Sequence, residues 1–265
     1  MLDKGSLDKH LITEFIGRSI EYYDSISSTN NRGKEIADER QEGTLVIAEE
    51  QTQGKGRLSR RWISPKGKGL WFSIILKPDL KPDKVYKITL IGAAAISEAL
   101  KEIGIKSYIK WPNDIIVEGK KVCGILTEMG CEKDRVKYVI MGIGINVNLE
   151  EEDFDDELIK KATSLRIIAG KEIDRSILLT KVLNHIEKLY IPFKEKGSLD
   201  ETIRICKERS ILIGKEVRIL RGNTETLAKV LDIDDEGHLL VQYEDGKKEK
   251  ILSGEVSVRG REGYI

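Results

Sequence analysis

The pattern of the sequence changes after Ile213-Gly214, and this change constrains the fold more than any other feature. Beyond it, five short segments alternate apolar and polar residues between polar turns: EVRIL, ETLAKVLDID, HLLVQYED, KKEKIL and EVSVRG. Short alternating strands at this spacing are typical of a small antiparallel barrel. The sequence therefore predicts two domains, residues 1–210 and residues 211–265.

The first of these domains mixes strands and helices. Apolar residues recur at helical spacing from Pro82 to Ile103, which predicts a helix with one face packed on a sheet. A helix-cap sequence at 27–30 predicts a polar helix from there to about Arg40. Further helices are predicted at 157–169, 174–195 and 199–209, and strands at 18–26, 44–50, 70–77, 107–111, 114–119, 121–129 and 136–147, with a tight turn at 119–120.

Composition narrows the functional classes. The 45 Lys and Arg residues balance 45 Asp and Glu residues, so no global charge draws the chain to nucleic acid or to an anionic membrane. Three widely spaced cysteines favour free thiols in a reducing compartment, and the three histidines have no zinc-ligand spacing with them. The sequence has neither a signal peptide nor an apolar run of about 18 residues. We expect a cytoplasmic protein with no membrane partner.

The segment 51–69 is the most unusual stretch of the chain. From Gly54 to Lys68 it has six basic residues and no acidic one. Glycines let backbone amides approach a ligand closely and Lys and Arg bind phosphate oxygens, so the composition suits an anion-binding loop, although it also fits a solvated surface. It matches neither GxxxxGK[ST] nor a GxGxxG between strand and helix. The basic residues are Lys55, Arg57, Arg60, Arg61, Lys66 and Lys68, and the glycines are Gly54, Gly56, Gly67 and Gly69.

Two further segments place charged groups beside strands. The KWPND sequence at 110–114 offers a lysine that can donate to a phosphate, an amide and a carboxylate. Taken by itself, the segment would be explained equally well as a polar turn. Lys121 begins an otherwise apolar strand, so its ammonium group either reaches solvent or faces an anion. Gly124 within that strand, and the sequence GIGINVN at 142–148, indicate that other groups approach the backbone closely.

Together these segments resemble the biotin–protein ligases, in order and in spacing. The resemblance extends from about residue 18 to the end of the chain, including the C-terminal strands. The combination of KWPND with K-x-x-GIL is its most specific part, and the GKGR loop beside it makes coincidence negligible. The matching segments are Ser28-Thr29-Asn30, Gln51 with Gly54-Lys55-Gly56-Arg57 and Trp62, Lys110 to Asp114, Lys121 to Leu126, and Gly142 to Asn146.

The resemblance implies an α+β fold: a mixed sheet flanked by helices, as in class II aminoacyl-tRNA synthetases, plus a small SH3-like β-barrel. It implies an enzyme, a biotin–[biotin carboxyl-carrier protein] ligase, that uses ATP with Mg²⁺ to convert biotin into biotinyl-5′-adenylate. The biotin would then pass to a lysine of a biotin carboxyl carrier protein of the acetyl-CoA carboxylase type. The family habit also allows a homodimer formed through the sheet.

The resemblance also assigns the site residues, without assigning any metal ligand. Catalysis is expected to depend on Arg57, Lys110, Lys121 and Asp114, with Asp114 as the candidate for helping the carrier lysine to lose its proton. Biotin is expected to contact Ser28, Thr29, Asn30, Gln51, Gly54, Lys55, Gly56, Arg57, Lys121 and Gly124. ATP is expected to contact Lys55, Arg57, Arg60, Trp62, Lys110, Asn113, Lys121 and Asn146, with Trp62 near the adenine.

Two departures from the family pattern matter. Lys55 stands where many members have Arg, so the charge is kept and the bidentate geometry is lost, and Ser59 stands where many have glycine. Because the first catalytic strand begins near residue 18, the sequence leaves no room for an N-terminal DNA-binding domain, and we expect no DNA partner. Two alternatives share parts of the pattern: a lipoate–protein ligase, whose arginine- and glycine-rich segment is absent, and a non-catalytic biotin sensor, which would lack the phosphate-binding lysines.

Overall fold

A seven-stranded mixed sheet organises the N-terminal part of the protein in the computed structural model, which describes residues 2, 5, 9–222, 224–253, 257–260 and 264. All seven strands predicted from the sequence are present. Their order across the sheet is β1-β2-β3-β7-β6-β5-β4; β1 and β2 are parallel, and the other neighbours pair antiparallel. The strands are β1 (Ile20–Tyr23), β2 (Leu45–Ala48), β3 (Leu70–Leu76), β4 (Tyr108–Lys110), β5 (Asp114–Val117), β6 (Lys120–Glu132) and β7 (Arg135–Ile145).

Five α-helices from Thr29 onward accompany this sheet in the described part of the chain. The first begins at Ser28, whose hydroxyl accepts a hydrogen bond from the backbone of Asn31. It confirms the predicted cap but ends at Ile36, before the expected Arg40. The helices are α1 (Thr29–Ile36), α2 (Tyr86–Glu102), α3 (Leu165–Ala169), α4 (Arg175–Lys196) and α5 (Asp200–Glu208), and none of them combines the length and apolarity needed to cross a membrane.

Both faces of the sheet are covered, which explains why β3 is apolar at almost every position. Ile74 packs in the main core together with α2, whereas Ile75 packs in a second cluster with Ile36 of α1. We expected α2 to bury one face; instead it is buried almost all round, because α4, α5 and the C-terminal strands also pack against it.

The helix predicted at 157–169 was mostly wrong, since only Leu165–Ala169 is helical. The backbone of residues 161–163 pairs with β6: Lys121 donates to the carbonyl of Lys161, and Thr163 donates to the carbonyl of Lys121. A segment that lies along a strand cannot at the same time be helical. The helix starts only after Ser164, whose side chain caps it.

The hairpin that joins β5 to β6 turns at Glu118 and Gly119, one residue earlier than predicted. Both have positive φ, 48° and 76°, a conformation that two-residue hairpin turns require. Lys120 therefore belongs to the strand and pairs with Val117. The side chain of its neighbour Lys121 turns towards the cavity described below.

A separate antiparallel sheet follows, as the change in sequence pattern predicted. Its order is β11-β10-β9-β8-β12, and its buried residues alternate along the strands, as at Val217 and Ile219. Residues 255 and 256 of the last predicted strand lie outside the described residues. The strands are β8 (Glu216–Arg221), β9 (Thr224–Ile233), β10 (Leu239–Tyr243), β11 (Lys248–Ile251) and β12 (Ser257–Gly260).

The turn between β9 and β10 fastens this second sheet to the first. Tyr86 of α2 donates its hydroxyl to the carbonyl of Glu236 (2.9 Å), and Lys87 forms an ion pair with the same residue (2.9 Å). The indole of Trp111 donates to the carbonyl of Gly237 (3.0 Å). One buried apolar core runs through both sheets, so the position of the C-terminal strands relative to KWPND is fixed.

Candidate active site

A cavity of about 600 Å³ opens on the sheet beside the start of α1. It is bounded by the segment 55–63, by the ends of β4 and β5, and by the glycine-containing parts of β6 and β7. Every residue that the sequence analysis assigned to biotin, ATP or catalysis lines this cavity except Gly54. Residues more than 110 positions apart in the sequence are thereby brought together, as the resemblance required.

One end of the cavity is built from uncharged polar side chains, and we call Ser28, Thr29, Asn30 and Gln51 the neutral end. Gln51 accepts hydrogen bonds from the backbone and hydroxyl of Thr29 (2.9 and 3.1 Å). Ser73 of β3, which the sequence analysis did not identify, lies within 2.8 Å of the Thr29 hydroxyl and 2.6 Å of Asn30 Oδ1. Ser73 is fully buried, so it fixes both groups from below.

A charged partner holds Asn30 from the other side. Its Nδ2 donates to the carbonyl of Leu126 (3.2 Å) and to Glu128 (2.9 Å), and Glu128 in turn pairs with Lys34 (2.8 Å). Burial raises the pKa of Glu128, but Lys34 and Asn30 outweigh burial and hold it below its usual value. Glu128 is thus a carboxylate at neutral pH, and the amide of Asn30 has a single orientation.

Three glycines on the cavity floor have no room for a side chain. A Cβ on Gly142 would overlap the amide of Asn30, and one on Gly144 would overlap the ring of Trp62. At Gly124 it would meet both Trp62 (3.1 Å) and Lys121 (2.9 Å). The side chains that face the cavity therefore follow β7 in sequence: Asn30 lies over Gly142, and Trp62 lies over Gly144.

The other end of the cavity is cationic. Asn146 lies beside it, four residues along β7 from Gly142 and hence about 13 Å away. Its side chain is buried and donates to the carbonyl of Thr163 (3.1 Å). We call the lysines and arginines that line this part of the cavity, together with Asp114, the cationic end: Arg57, Arg60, Lys110, Lys121 and Arg259.

Asp114 is the acidic residue at the centre of the cationic end. Lys121 approaches its Oδ1 at 2.6 Å, and the hydroxyl of Tyr264 donates to its Oδ2. Burial alone would raise the pKa of this carboxyl group, but Lys121, Tyr264 and Lys110 together hold it below its usual value. Asp114 is therefore ionised: its Oδ1 is ion-paired with Lys121 without an aligned hydrogen bond, and its Oδ2 accepts from Tyr264.

Lys110 is the most perturbed cation of the site. Its ammonium lies 3.5 Å from the centre of the Tyr264 ring, and the residue is 4% exposed. Burial, together with the smaller effects of Lys121, Arg259 and Arg60, lowers the pKa of Lys110 to about 8 against the opposing effect of Asp114. The cationic end thus concentrates several positive side chains around a single carboxylate, that of Asp114.

The basic segment 51–69 is folded as a narrow hairpin over the cavity. Trp62 donates its backbone N–H to Gly54 (2.9 Å), and Gly56 donates to Arg60 (2.7 Å). Arg57 donates to the side chain of Asn113 (2.9 Å), which ties the tip of the hairpin to KWPND. Leu58 at the tip is 72% exposed with a positive φ of 55°. The side chain of residue 59 lies outside the described residues.

The six basic residues of this segment divide into two groups. Lys55, Arg57, Arg60 and Arg61 line the cavity, whereas Lys66 and Lys68 form ion pairs outside it, with Asp24 and Asp153 respectively (2.6 Å each). Gly54 lies behind the lining, where a Cβ would overlap the carbonyl of Trp62. The structure therefore gives Gly54 a packing role and no place on the cavity wall.

Two groups of lining residues were missed by the sequence analysis. One is a largely apolar wall from residues 149–162, a segment that includes the acidic run 150–157. The other comes from the C-terminal strands and the chain end. These residues are Leu149, Phe154, Leu158, Lys161 and Ala162 in the first group, and Arg218, Ser257, Val258, Arg259 and Tyr264 in the second.

Three further observations concern a buried indole, the thiols and possible metal ligands. The indole N–H of Trp62 is buried and has no hydrogen-bond partner among the described residues, so it is available to a ligand. The three cysteines are free, as predicted, and burial raises the pKa of Cys123 far above the usual thiol value. In the described part of the chain no three His, Cys, Asp or Glu side chains are grouped as a metal site would require.

The geometry fits an elongated ligand with a neutral polar group at one end and anionic groups at the other. Buried amides and hydroxyls at the neutral end can satisfy uncharged donors and acceptors, whereas a charged group there would lose its hydration without a counter-ion. Several cations in a partly buried cleft stabilise negative charge much more than they would in water. Such a site can bring a carboxylate and a phosphate together despite their repulsion.

Comparisons with known proteins agree with this chemistry. Residues 22–146 match the Biotin/lipoate A/B protein ligase family, and residues 212–259 match the Biotin protein ligase C terminal domain. The chain is 44% identical to the bifunctional ligase/repressor BirA of Bacillus subtilis, over 94% of its own length and 76% of the relative's. It is 27% identical to the biotin–[acetyl-CoA-carboxylase] ligase of Mycobacterium tuberculosis, over 96% of this chain and 95% of that one.

A solved structure shares the architecture over nearly the whole chain. The biotin protein ligase of Aquifex aeolicus, determined in complex with biotin and ATP, superposes with a TM-score of 0.78. The two chains are 36% identical, and the match covers 92% of this chain and 99% of the other.

Proposed function

The chain belongs to the biotin protein ligase family, and we propose that its cavity performs both steps of biotin transfer, with the roles of individual residues given below. The enzyme activates biotin with ATP to biotinyl-5′-adenylate and transfers the biotin to a protein lysine. The observation that carries this assignment is the division of one cavity into a neutral end and a cationic end. Biotin has that polarity, with an uncharged ureido ring at one end and a carboxylate at the other.

The ureido ring is assigned to the neutral end. Ser28, Thr29 and Gln51 offer the hydroxyl and amide groups that its N–H and C=O groups need, and Asn30 is fixed beside them by Ser73. Their mutual hydrogen bonds hold these groups in place before biotin arrives, which lowers the entropy cost of binding. We expect Gly124 and the backbone of Gly56 to face the ligand between the two ends, and we leave Gly54 as support for the hairpin.

Activation takes place at the cationic end. The carboxylate oxygen of biotin attacks the α-phosphate of ATP, the bond from that phosphorus to the bridging oxygen breaks, and pyrophosphate leaves. Two anions must meet for this, and Lys121, Lys55 and Arg57 are placed to supply positive charge along the path of the attack. Lys110 and Arg60 would hold the phosphates that leave.

The nucleotide is the second substrate, and we propose that it enters as its Mg²⁺ complex. Mg²⁺ bound to the nucleotide would supply positive charge to the leaving pyrophosphate and would need no carboxylate cage from the protein. Asn113 and Asn146 are proposed to bind the nucleotide beside the cationic end. The free indole N–H of Trp62 and the apolar wall at Leu149 and Phe154 suit the adenine.

The second step is attack by a carrier lysine on the mixed anhydride, with release of AMP. The family resemblance makes Asp114 the candidate for accepting the proton of that lysine. Both of its oxygens are occupied and its pKa is lowered, so it is a weak and poorly accessible base. We therefore propose that Asp114 positions Lys121, and that the carrier lysine arrives as the small neutral fraction present at neutral pH, roughly one in 2,500.

The wider setting of the reaction follows from the substrates. We propose that the acceptor is a biotin carboxyl carrier protein of the acetyl-CoA carboxylase type, as the name of the mycobacterial relative indicates for that protein. We further propose that residues 1–210 bind biotin and that residues 211–265 contribute only to the cationic end. Use of ATP and three free thiols favour the cytoplasm.

Biotin-dependent exchange of pyrophosphate into ATP tests this function directly. The purified chain should catalyse exchange with biotin and not with lipoate, because the neutral end is built for a ureido ring. Equal exchange with both acids would contradict the specificity for biotin, and binding of biotin without any exchange would identify a non-catalytic sensor.

A further inference from the structure

Tyr264 lies beside Lys110 and beside the Asp114–Lys121 ion pair, and the sequence analysis did not identify it. Its hydroxyl donates to Asp114 Oδ2 and its ring lies against Lys110, 3.5 Å from the ammonium. The phenol is half-buried in the cavity, and burial together with Asp114 raises its pKa far above the usual value, so it remains a hydrogen-bond donor. It comes from the far end of the chain, 150 residues after Asp114.

The ion pairs around Asp114 show what this phenol does. Two lysines of the cavity compete for one carboxylate, since Asp114 acts electrostatically on both Lys110 and Lys121. Lys121 alone forms the ion pair, at Oδ1 (2.6 Å), and Lys110 has no ion-pair partner among the residues that the structure describes. Lys110 and Asp114 are paired residues of β4 and β5, so their side chains lie on the same face of the sheet, and the second oxygen of Asp114 is occupied by the Tyr264 hydroxyl.

The aromatic ring supplies the second half of the effect. A cation that lies over the face of an aromatic ring is stabilised without being neutralised. Lys110 thus keeps its positive charge in a buried position where Asp114 would otherwise pair with it. A tyrosine can do this because it joins a hydroxyl for the carboxylate to a ring for the ammonium; phenylalanine has only the ring.

We infer that Tyr264 is a positioning residue that keeps Lys110 available to the triphosphate of ATP, by occupying the oxygen of Asp114 that Lys110 would otherwise bind. This inference rests on the proposed function for the identity of the anion. The two lysines then have different roles. Asp114 holds Lys121 at the junction of biotin and the α-phosphate, whereas Lys110 binds the phosphates of ATP. Loss of the hydroxyl should let Lys110 pair with Asp114, and the site should then lose affinity for ATP.

The test is direct binding of MgATP and of biotin, each measured by calorimetry on the full chain, so that it does not depend on catalysis. Tyr264→Phe should weaken MgATP binding about tenfold, the value of one charge-assisted interaction, and should change biotin binding by less than about twofold. Tyr243→Phe is the matched control, because that tyrosine also donates to a carboxylate, Glu249 (2.6 Å), in the C-terminal sheet and outside the cavity. It should leave both affinities unchanged.

A double-mutant cycle separates positioning from a loss of fold. In the background Asp114→Asn there is no carboxylate to capture Lys110, so adding Tyr264→Phe should change MgATP binding by less than about twofold. An equal loss of MgATP affinity in both backgrounds, or weakening of biotin and MgATP alike, would overturn the inference. Tighter MgATP binding by Tyr264→Phe would also overturn it, since Tyr264 would then obstruct the site.

These outcomes are distinct from failure of the proposed function. If the wild-type chain binds MgATP but shows no biotin-dependent exchange, the assigned reaction is wrong. The role of Tyr264 in ATP binding is then decided by the calorimetry alone. If exchange is active and Tyr264→Phe binds MgATP as the wild type does, the inference alone is wrong.

Discussion

The neutral and cationic ends of the cavity differ in how their polar groups are satisfied. At the neutral end the polar groups satisfy one another: Gln51, Thr29, Ser73 and Asn30 form a connected set of hydrogen bonds on the buried sheet. At the cationic end several positive side chains surround the single carboxylate of Asp114. The first end is complete without a ligand, and the second has an excess of charge that only an anion can balance.

This difference separates recognition from chemistry. A rigid set of dipoles discriminates between ligands, because groups held in fixed positions cannot move to meet a ligand whose donors and acceptors lie elsewhere. Concentrated positive charge discriminates little between anions but lowers the barrier to a reaction that brings two of them together. Substitutions at the two ends should therefore produce different failures, and the predictions below are arranged from the largest expected effect to the smallest.

Replacement of Lys121 should produce the largest loss. Lys121→Ala removes a charge-assisted interaction with the reacting groups and also leaves Asp114 without its ion-pair partner, so the adenylation rate should fall roughly 10- to 150-fold. The neighbouring change Lys120→Ala is the control, since Lys120 lies in the same strand but outside the cavity lining. Greater damage from Lys120→Ala, measured by pyrophosphate exchange, would place the motif in the wrong register.

The pH dependence should be governed by Lys110. The protonated ammonium of Lys110 carries the charge that the phosphates need. The adenylation rate, measured by pyrophosphate exchange, should therefore be retained below pH 8 and should fall above it, to about a tenth at pH 9. Lys110→Arg keeps its charge at all these pH values and should move the loss to higher pH. Lys87→Arg, a change at another buried lysine but outside the cavity, should leave the profile unchanged.

The basic hairpin should be protected by ligand. Its cations repel one another, and the adenylate supplies the missing negative charge, so binding and closure should be coupled. Trypsin should cut after Lys55, Arg57, Arg60 or Arg61 at least about fivefold more slowly with biotin and ATP present. Cleavage after Lys133, in the exposed turn between β6 and β7, serves as an internal control and should not change. Equal protection at both places would indicate general stabilisation and not closure of the hairpin.

The smallest effect should come from behind the neutral end. Glu128→Gln weakens the partner that orients Asn30, so biotin affinity should fall about threefold while MgATP affinity stays the same. Glu132→Gln on the exposed part of the same strand is the control and should alter neither. A larger effect on MgATP than on biotin would show that Glu128 does not act through the neutral end.

Much of the site was predictable because its motifs lie on adjacent strands. Gly124 pairs with Gly144, and Asp114 pairs with Gly124, so three segments that the sequence analysis singled out meet by strand register alone. The family resemblance supplied the roles that composition could not. The basic loop was ambiguous in isolation, and its four cavity-lining cations could not be told from Lys66 and Lys68 by sequence.

What the sequence did not predict depends on long-range contacts. Phe154 and Leu158 were hidden by the acidic residues around them, and Tyr264 has no local pattern that marks it. The helix predicted at 157–169 failed because backbone pairing with Lys121 overrides a local preference. The prediction that the chain has no DNA partner stays a prediction, as does the homodimer.

The central claim is that one cavity has two separable ends, and paired binding measurements test it most directly. Biotin and MgATP affinities should be measured by calorimetry for Gln51→Ala, at the neutral end, and for Lys110→Ala, at the cationic end. Gln51→Ala should weaken biotin binding about tenfold and change MgATP binding by less than about twofold. Lys110→Ala should weaken MgATP binding about tenfold and change biotin binding by less than about twofold. If each change weakens both ligands to the same degree, the two ends do not exist as separate binding regions and the account is wrong.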